Sequence, residues 1–513
     1  MKRFLLLINL FTCAGIYAQS PEDALRYSFI PNSGTARNLA IGGAMGSLGG
    51  DINATFVNPA GLGFYKTGEF VLSPGLLFTN NKMAYRETNT KTKSTGGTFG
   101  TSGVVLGFPN RYNRSSSAVS IAVTQTANFN NSFQYSGLNN YSSFSEQFAE
   151  EFAKSGYTID QVLNVNSPLP YTSAVALYTY LIDTVRVGNA LQVKGAPEFI
   201  LDAGQAIKQQ MKKETSGGMY ELAVGFAKNN NDKWFWGGTI AMPIINYDSY
   251  TQFKENDTSS RTNNHFNSFV YEDNFTTKGV GFNGKFGVIY RPQDYIRLGL
   301  AIHTPTFMAL TDTRTVRLNT SLENPVASFA VDSKTFTNNI AGESKYMQSN
   351  AWKIIGSASY VFREVDNVKK QRAFITADVE YVNHKGSRFS SNNNEPTAVE
   401  KAYYKSLNEV VKQEYKGAFN FRVGGELKFN VVMARLGFAY YGNPYKETAY
   451  KGNRMLLSGG LGYRNKGMFI DLTYVHAVTK DVDLPYRLSD RANTYASVNQ
   501  QRGNVMATIG FKF

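Results

Sequence analysis

From about residue 68 to the carboxy terminus, apolar and polar residues alternate with period two in segments ended by Gly, Asn, Asp or Pro. Alternation of that kind predicts strands with one apolar and one polar face. Ala118 to Thr126, Tyr220 to Phe226 and Phe421 to Phe429 are clear cases. So is the last run, Val505, Ala507, Ile509, Phe511 and Phe513, whose intervening positions Asn504, Met506, Thr508, Gly510 and Lys512 are mostly polar or small. Counting such segments predicts about fourteen strands, an even number. Short connections are expected at 229–232, 292–294, 366–370, near Asn430 and at 465–466. Longer polar stretches at 253–275, 312–347, 390–414 and 483–499 lie between them. Strict alternation of short turns and long loops is the pattern of a transmembrane antiparallel β-barrel with both ends on the periplasmic side.

Two segments depart from the period. Residues 136–216 carry Phe144, Phe148 and Phe152 at helical spacing, and Ala196 to Glu214 also reads as helix, so a long helical extracellular insertion is predicted there. Residues 19–67 are rich in Gly and small residues and do not read as strand. The expected organisation is therefore a signal peptide over 1–18, an amino-terminal hatch over 19–67 inside the barrel, and an all-β barrel over 68–513.

Composition agrees with a barrel. The 513 residues include 36 Phe, 31 Tyr and 46 Gly, yet only 42 % are hydrophobic. Aromatic girdles and half-polar strands account for that mixture. Met1, Lys2 and Arg3 run into the apolar Phe4 to Ile8, with small residues near Ala18, so export is expected, with Gln19 as the first mature residue. Cys13, the single cysteine, closes the apolar run, but Leu10, Phe11 and Thr12 lack the small residue of a lipid-attachment site. No later apolar run reaches the roughly eighteen residues a membrane helix needs. The net charge of +14 is scattered through loops without a basic run, which argues against a nucleic-acid partner.

The run Ala36, Arg37, Asn38, Leu39, Ala40, Ile41, Gly42, Gly43, Ala44, followed by Gly49, Gly50, Asp51 and then Asn58, Pro59, Ala60, Gly61, Leu62, resembles the amino-terminal hatch of the FadL and TodX family of hydrophobic-compound channels. Gly279 to Pro292 with Arg297 to Pro305 is similar to the family's central hairpin. Gly424, Gly425, Glu426, Arg435 to Tyr441, Pro444 and Tyr445 are similar to a later one. The insertion at 136–216 lies outside the resemblance. The resemblance implies that Asn58, Pro59, Ala60 and Gly61 sit in the lumen as hatch or gate, and that ligand leaves sideways through a gap at a kinked strand, with Ser117 to Tyr135 as the candidate by strand order. Separately, the alternating last strand ending in Phe looks like the assembly signal of outer-membrane barrels, so Phe511 and Phe513 are expected to be read by the barrel-assembly machinery. Independently of family, glycine permits the tight bends a plug needs, and Asn58 before Pro59 is biased to extended backbone.

Catalytic chemistry is not legible. No serine stands in a nucleophile elbow, and no Gly-rich loop ends in Gly-Lys-Ser or Gly-Lys-Thr. His265, His303, His384 and His476 are too far apart in sequence to suggest a metal pair, so neither metal nor cofactor is expected. The chain reads as an outer-membrane channel for passive uptake of hydrophobic small molecules, with long-chain fatty acids or hydrocarbons implied by the resemblance. The alternative is a barrel of the same fold serving as a scaffold subunit of an outer-membrane secretion or assembly complex. The partners to expect are a hydrophobic small molecule or lipid, outer-membrane lipid and, for the alternative, other proteins of a complex.

Overall fold

The computed structural model describes residues 21–513 apart from 22, 111, 189, 260, 262, 324–325, 363–371, 448–449 and 451. The expected signal peptide with Cys13, and the expected turn at 366–370, lie outside the described residues.

Fourteen strands close into one antiparallel barrel. In chain order they are β1 (Glu69–Leu72 and Pro74–Tyr85), β2 (Thr88–Phe99 and Ser102–Pro109), β3 (Ser116–Asn128 and Asn131–Asn139), β4 (Ile207–Asn230) and β5 (Trp234–Asp257). Then come β6 (Ser268–Gln293), β7 (Ile296–His303 and Phe307–Glu323), β8 (Gly342–Ser349 and Lys353–Phe362), β9 (Ala373–Asn383 and Arg388–Ser391) and β10 (Gly417–Phe429). The last four are β11 (Val432–Tyr441), β12 (Arg454–Asn465), β13 (Met468–Asp483) and β14 (Ala496–Lys512). Each pairs with its sequence neighbour, and β14 closes on β1 with Phe70 opposite Phe511 and Leu76 opposite Val505. Gly68 and Phe513 exchange backbone hydrogen bonds at the closing seam.

Alternation explains the wall. Leu222, Val224 and Phe226 of β4 face outward while Ala223 and Ala227 face the lumen, and Trp236, Ile240 and Met242 continue the apolar belt on β5. A closed barrel leaves no backbone edge in hydrocarbon, so apolar outward residues and a polar lumen are what a lipid environment selects. This is the architecture of an outer-membrane protein, the expected localisation.

The strands run further than their apolar residues. A span needs about 10 residues, whereas β6 has 26. Residues 253–257 and 268–275, expected as loop, are therefore strand, as are 312–323. Beyond the belt the outer face is polar, so the apolar half of the alternation that signals a membrane strand is gone. Ala196 to Glu214 is likewise not one helix: Glu198–Asp202 is helical and β4 begins at Ile207. Gln209, Gln210, Lys212 and Lys213 favour helix locally, but pairing with β5 and β3 overrides a propensity worth only tenths of a kcal/mol per residue. The β1–β2 connection is two residues, Arg86 and Glu87, a short turn at the outer end where long loops were expected.

Inside the barrel lie short helices: α1 (Asp23–Arg26), α2 (Ala36–Ala40), α3 (Ala54–Val57) and a 3-10 turn, Pro59–Phe64. The insertion contains α4 (Glu146–Ser155), α5 (Ile159–Leu163), α6 (Ser173–Tyr178), a small hairpin and α7 (Glu198–Asp202). A long helix, α8 (Ala398–Glu414), follows β9 and starts with a reciprocal Thr397–Glu400 capping box.

Candidate functional site

The amino-terminal segment fills the lumen, and wall glycines let it approach. Gly42 has φ +68° and lies so close to the Phe438 backbone that a Cβ there would come within 2.7 Å of its carbonyl oxygen. Across the same contact, a side chain at Gly437 or Gly424 would collide with Ile41. Asn58 donates from Nδ2 to the Gly46 carbonyl at 2.6 Å and accepts the Ala60 N–H at 3.1 Å, capping the turn that Pro59 begins. On the wall side, a Cβ at Gly287 would overlap the Asn58 amide, and one at Gly237 would meet the Pro59 backbone at 2.6 Å. Asn58, Pro59, Ala60 and Gly61 are all buried, wedged against β5 and β6 near their inner ends.

Buried charges fasten this plug. Asp378 on β9 accepts the Met45 and Gly46 N–H groups at 3.1 and 3.2 Å, and the Arg422 guanidinium lies between Asp378 and Glu380 at 3.5 and 3.3 Å. Arg435 reaches Glu426 at 2.6 Å and Asp471 at 2.5 Å, while Arg37 of the plug stands 3.6 Å from Glu426 and donates to the Gly50 carbonyl. Ser47 bonds Ser359, Thr55 bonds Ser120, and the His303 ring meets the Val57 carbonyl at 2.8 Å. Such pairs tolerate burial because every charge has a partner; removing one leaves the other stranded.

Above the plug is a cavity of about 480 Å³. Leu25, Ile30, Leu77, Phe129, Leu456 and Val475 supply its apolar lining. Gln125, Arg454, Arg502 and Asn504 supply the polar part. Helix α1 and the residues after it form one side, held by α8 through Tyr404, Leu407 and Val411.

One side of the cavity is a seam in the wall. The β2–β3 ladder runs from Pro109–Ser116 up to Ser102–Val123 and stops. Beyond it, the outer half of β2 pairs with β1 and the outer half of β3 with β4, and no ladder between them is found among the described residues. The cause is local. The β3–β4 register shifts between Gln125 and Ala127, and Gly217 opposite has φ +96°, a bulge that bends β3 away. Gln125 then does with its side chain what the backbone no longer does: its Oε1 accepts the Phe99 N–H and the Thr98 hydroxyl, both at 3.0 Å, and its Nε2 donates to the Tyr220 hydroxyl at 3.1 Å. Further out, Thr92 donates to the Ser132 carbonyl at 2.9 Å and Asn128 to the Gly97 carbonyl at 2.8 Å. Leu76 and Phe78, exposed on the outer wall, pair with Gly97 and Thr95, so the seam lies at the level of the apolar belt.

The insertion closes over the outer strands. Phe144 stacks on Phe253 at 4.5 Å and meets Phe148, Tyr271 and Tyr486 edge-on or tilted within 6 Å. Glu198 accepts the Gly195 N–H at 2.5 Å, and burial beside Glu146 pushes its carboxyl up to about 7. Burial also raises the Glu146 carboxyl, against the Ser143 N–H that it accepts at 2.7 Å.

No family model matches the chain, and no curated protein matches it. Solved structures do. A FadL homologue of Pseudomonas aeruginosa superposes with a TM-score of 0.51 at 14 % identity, covering 94 % of this chain and 99 % of its own. The chain has the FadL/TodX fold. The toluene transporter TodX of P. putida follows at a TM-score of 0.50 and 13 % identity, covering 94 % of this chain and 99 % of its own. Identities this low carry fold alone.

Within that FadL/TodX fold, the residues singled out from sequence fall in two places. Asn58 to Gly61 lie in the lumen with Glu426 and Arg435, whereas Phe511 and Phe513 are exposed on the outer wall at the closing seam. Sequence reading missed Asp378, Glu380, Arg422 and Asp471. Their signal was present: a charge at a lumen-facing position of an alternating strand is costly unless partnered. Gln125 gave no such signal, since a polar residue at an inward position is ordinary.

Proposed function

We propose that the chain is an outer-membrane channel for passive uptake of hydrophobic small molecules, long-chain fatty acids or hydrocarbons being the classes in view. The observation that carries this reading is the cavity that reaches the unzipped β2–β3 seam at belt level. An apolar solute that rests there has a sideways path into lipid without crossing the polar periplasmic end. A toluene transporter is among the chains of similar fold, which supports a hydrophobic ligand class. Asn58, Pro59, Ala60 and Gly61 keep the axial path closed as the hatch, so that passage is lateral. Phe511 and Phe513 serve as the strand-end signal for the barrel-assembly machinery.

The test is a reversible lock. Cysteines at Thr98→Cys and Gln125→Cys, joined by oxidation, should cut uptake of a radiolabelled long-chain fatty acid or toluene by about tenfold or more, and a reductant should restore it. Uptake unchanged by the closed disulfide sinks the lateral route. The scaffold reading is the alternative, since a plug tied to the wall by buried charges fits a structural subunit as well. Stoichiometric recovery of partner proteins without ligand from native membranes would select it.

A further inference from the structure

Beyond the membrane the barrel wall breaks up into strand edges. One of them is left open. Above the Arg314–Gly342 pair, where β8 parts from β7, the short strand Val326–Asp332 folds back on β7 with Asp332 opposite Arg317 and Val326 opposite Glu323. The other side of β7 is taken by β6 at this height, with Ser321 opposite Ser268. Val326–Asp332 is therefore the last strand of the sheet here, and among the described residues no backbone group from Val326 to Val331 makes a hydrogen bond away from β7.

Other outer edges are blunted, as exposed edges in native proteins generally are. Thr88–Phe99 carries Lys91 and Lys93 and is bridged from Thr92 to the Ser132 carbonyl at 2.9 Å. At Arg388–Ser391, Asn408 of α8 accepts the Phe389 N–H at 2.7 Å and donates to its carbonyl at 2.8 Å. The small hairpin of the insertion, Ile182–Val187 with Ala190–Gly195, has Asp183, Arg186 and Lys194. By contrast, Val326, Ala327, Ser328, Phe329, Ala330 and Val331 include neither a charge nor a proline. Phe329 and Val331 turn toward the insertion, where the Phe329 ring lies 5.0 Å from that of Tyr180, whereas Val326, Ser328 and Ala330 are exposed. Tyr180 stays half-exposed and leaves aromatic surface open on the insertion side.

A row of unpaired N–H and C=O groups is completed by another strand. Lipid does not cover this one, since residues 317–323 lie ten or more positions along β7 from Phe307 at the apolar belt, roughly 30 Å at about 3.3 Å per residue. Nor does a second copy fit. Two copies in one membrane are related by rotation about the membrane normal, so their edges run the same way, whereas a two-fold contact between identical strands is antiparallel.

We propose that Val326–Val331 is a docking edge for an extended, uncharged segment of a different exported polypeptide, which joins the sheet as its next strand. Successive side chains of that segment point to opposite faces, so every second one lies on the side of Phe329 and Tyr180 and the rest face water. The segment that fits alternates aromatic or aliphatic residues with small polar ones and lacks proline. This edge is separate from the cavity and does not rest on the uptake reading.

The test uses the full chain in nanodiscs and, as probe, a fluorescent peptide alternating threonine with valine and phenylalanine, with binding read by anisotropy. The wild type should bind it saturably. The same peptide N-methylated on consecutive residues, which blocks both of its edges, should bind at least about tenfold more weakly, the size expected for two or more lost hydrogen bonds. Ala330→Lys charges the edge at an exposed position and should weaken binding by a similar factor. Heat-modified migration on gels checks assembly, and Ser328→Lys makes the same test from a second exposed position if the first variant does not assemble. No saturable binding, or binding that survives N-methylation or the lysine substitutions, overturns the docking edge. A wild-type dimer in mild detergent that Ala330→Lys converts to monomer would assign the edge to a second copy and overturn the foreign partner. The uptake reading stands or falls separately from all of these outcomes.

Discussion

Two parts of this barrel meet the lumen with opposite chemistry. The plug is fastened to the wall by buried charges: Asp378 accepts the Met45 and Gly46 N–H groups and Glu426 faces Arg37, and Arg422 and Arg435 pair with those carboxylates from neighbouring strands. The β2–β3 seam at the belt is held by neutral side-chain hydrogen bonds. A neutral hydrogen bond contributes about 0.5–1.5 kcal/mol net, whereas breaking one member of a buried ion pair costs about 3–5 kcal/mol. On the proposed lateral route, the floor is the part expected to stay and the wall the part expected to open.

The largest effect is expected at the floor. Arg435→Met strands Asp471 and leaves Glu426 with Arg37 alone at 3.6 Å, and should destabilise the folded barrel by about 3–5 kcal/mol, read as a lower midpoint in urea unfolding, and should admit small hydrophilic antibiotics that the wild type excludes. A silent substitution would remove the distinction on which the comparison rests. At the seam the effect is smaller and of opposite kind. Gln125→Ala removes the acceptor for the Phe99 N–H and should cost about 1–2 kcal/mol while raising the rate of hydrophobic uptake, measured in cells depleted of other channels.

The smallest effect lies in the insertion. The Glu198 carboxyl is raised by burial from its ordinary 4.5 to about 7. The folded state thus holds a proton that the unfolded state has released between those values, and local stability falls as pH rises through that window. Proteolysis of the 140–206 insertion should be several-fold faster at pH 8 than at pH 5, and Glu198→Gln should flatten the profile. A profile already flat in the wild type would show that the insertion does not feel this group.

Much of this was legible in the chain. Period-two alternation marks the belt strands because lipid rewards it at each outward position, and the small residues from Ala36 to Gly61 mark the plug because only they let backbone meet backbone at Gly42 and Gly437. Strand extensions above the membrane were not legible, since residues such as Gln252 and Thr276 face surroundings without an apolar side to report. The clamp was half legible: Glu426 and Arg435 stood in a recognisable segment, but Asp378 and Asp471 become meaningful only once the plug is placed beside them. The Gln125 latch depends on a bulge, and a bulge is a property of two strands 95 residues apart in their pairing, Gln125 with Tyr220.

The most direct test of the fixed floor and the opening wall is amide hydrogen exchange by mass spectrometry on the barrel in nanodiscs. Slow exchange is expected across Met45 to Gly61, and exchange at least tenfold faster across Gly96 to Phe99 and Ala127 to Phe133. Plug amides exchanging as fast as those of the seam would contradict it and make the axial path the moving part.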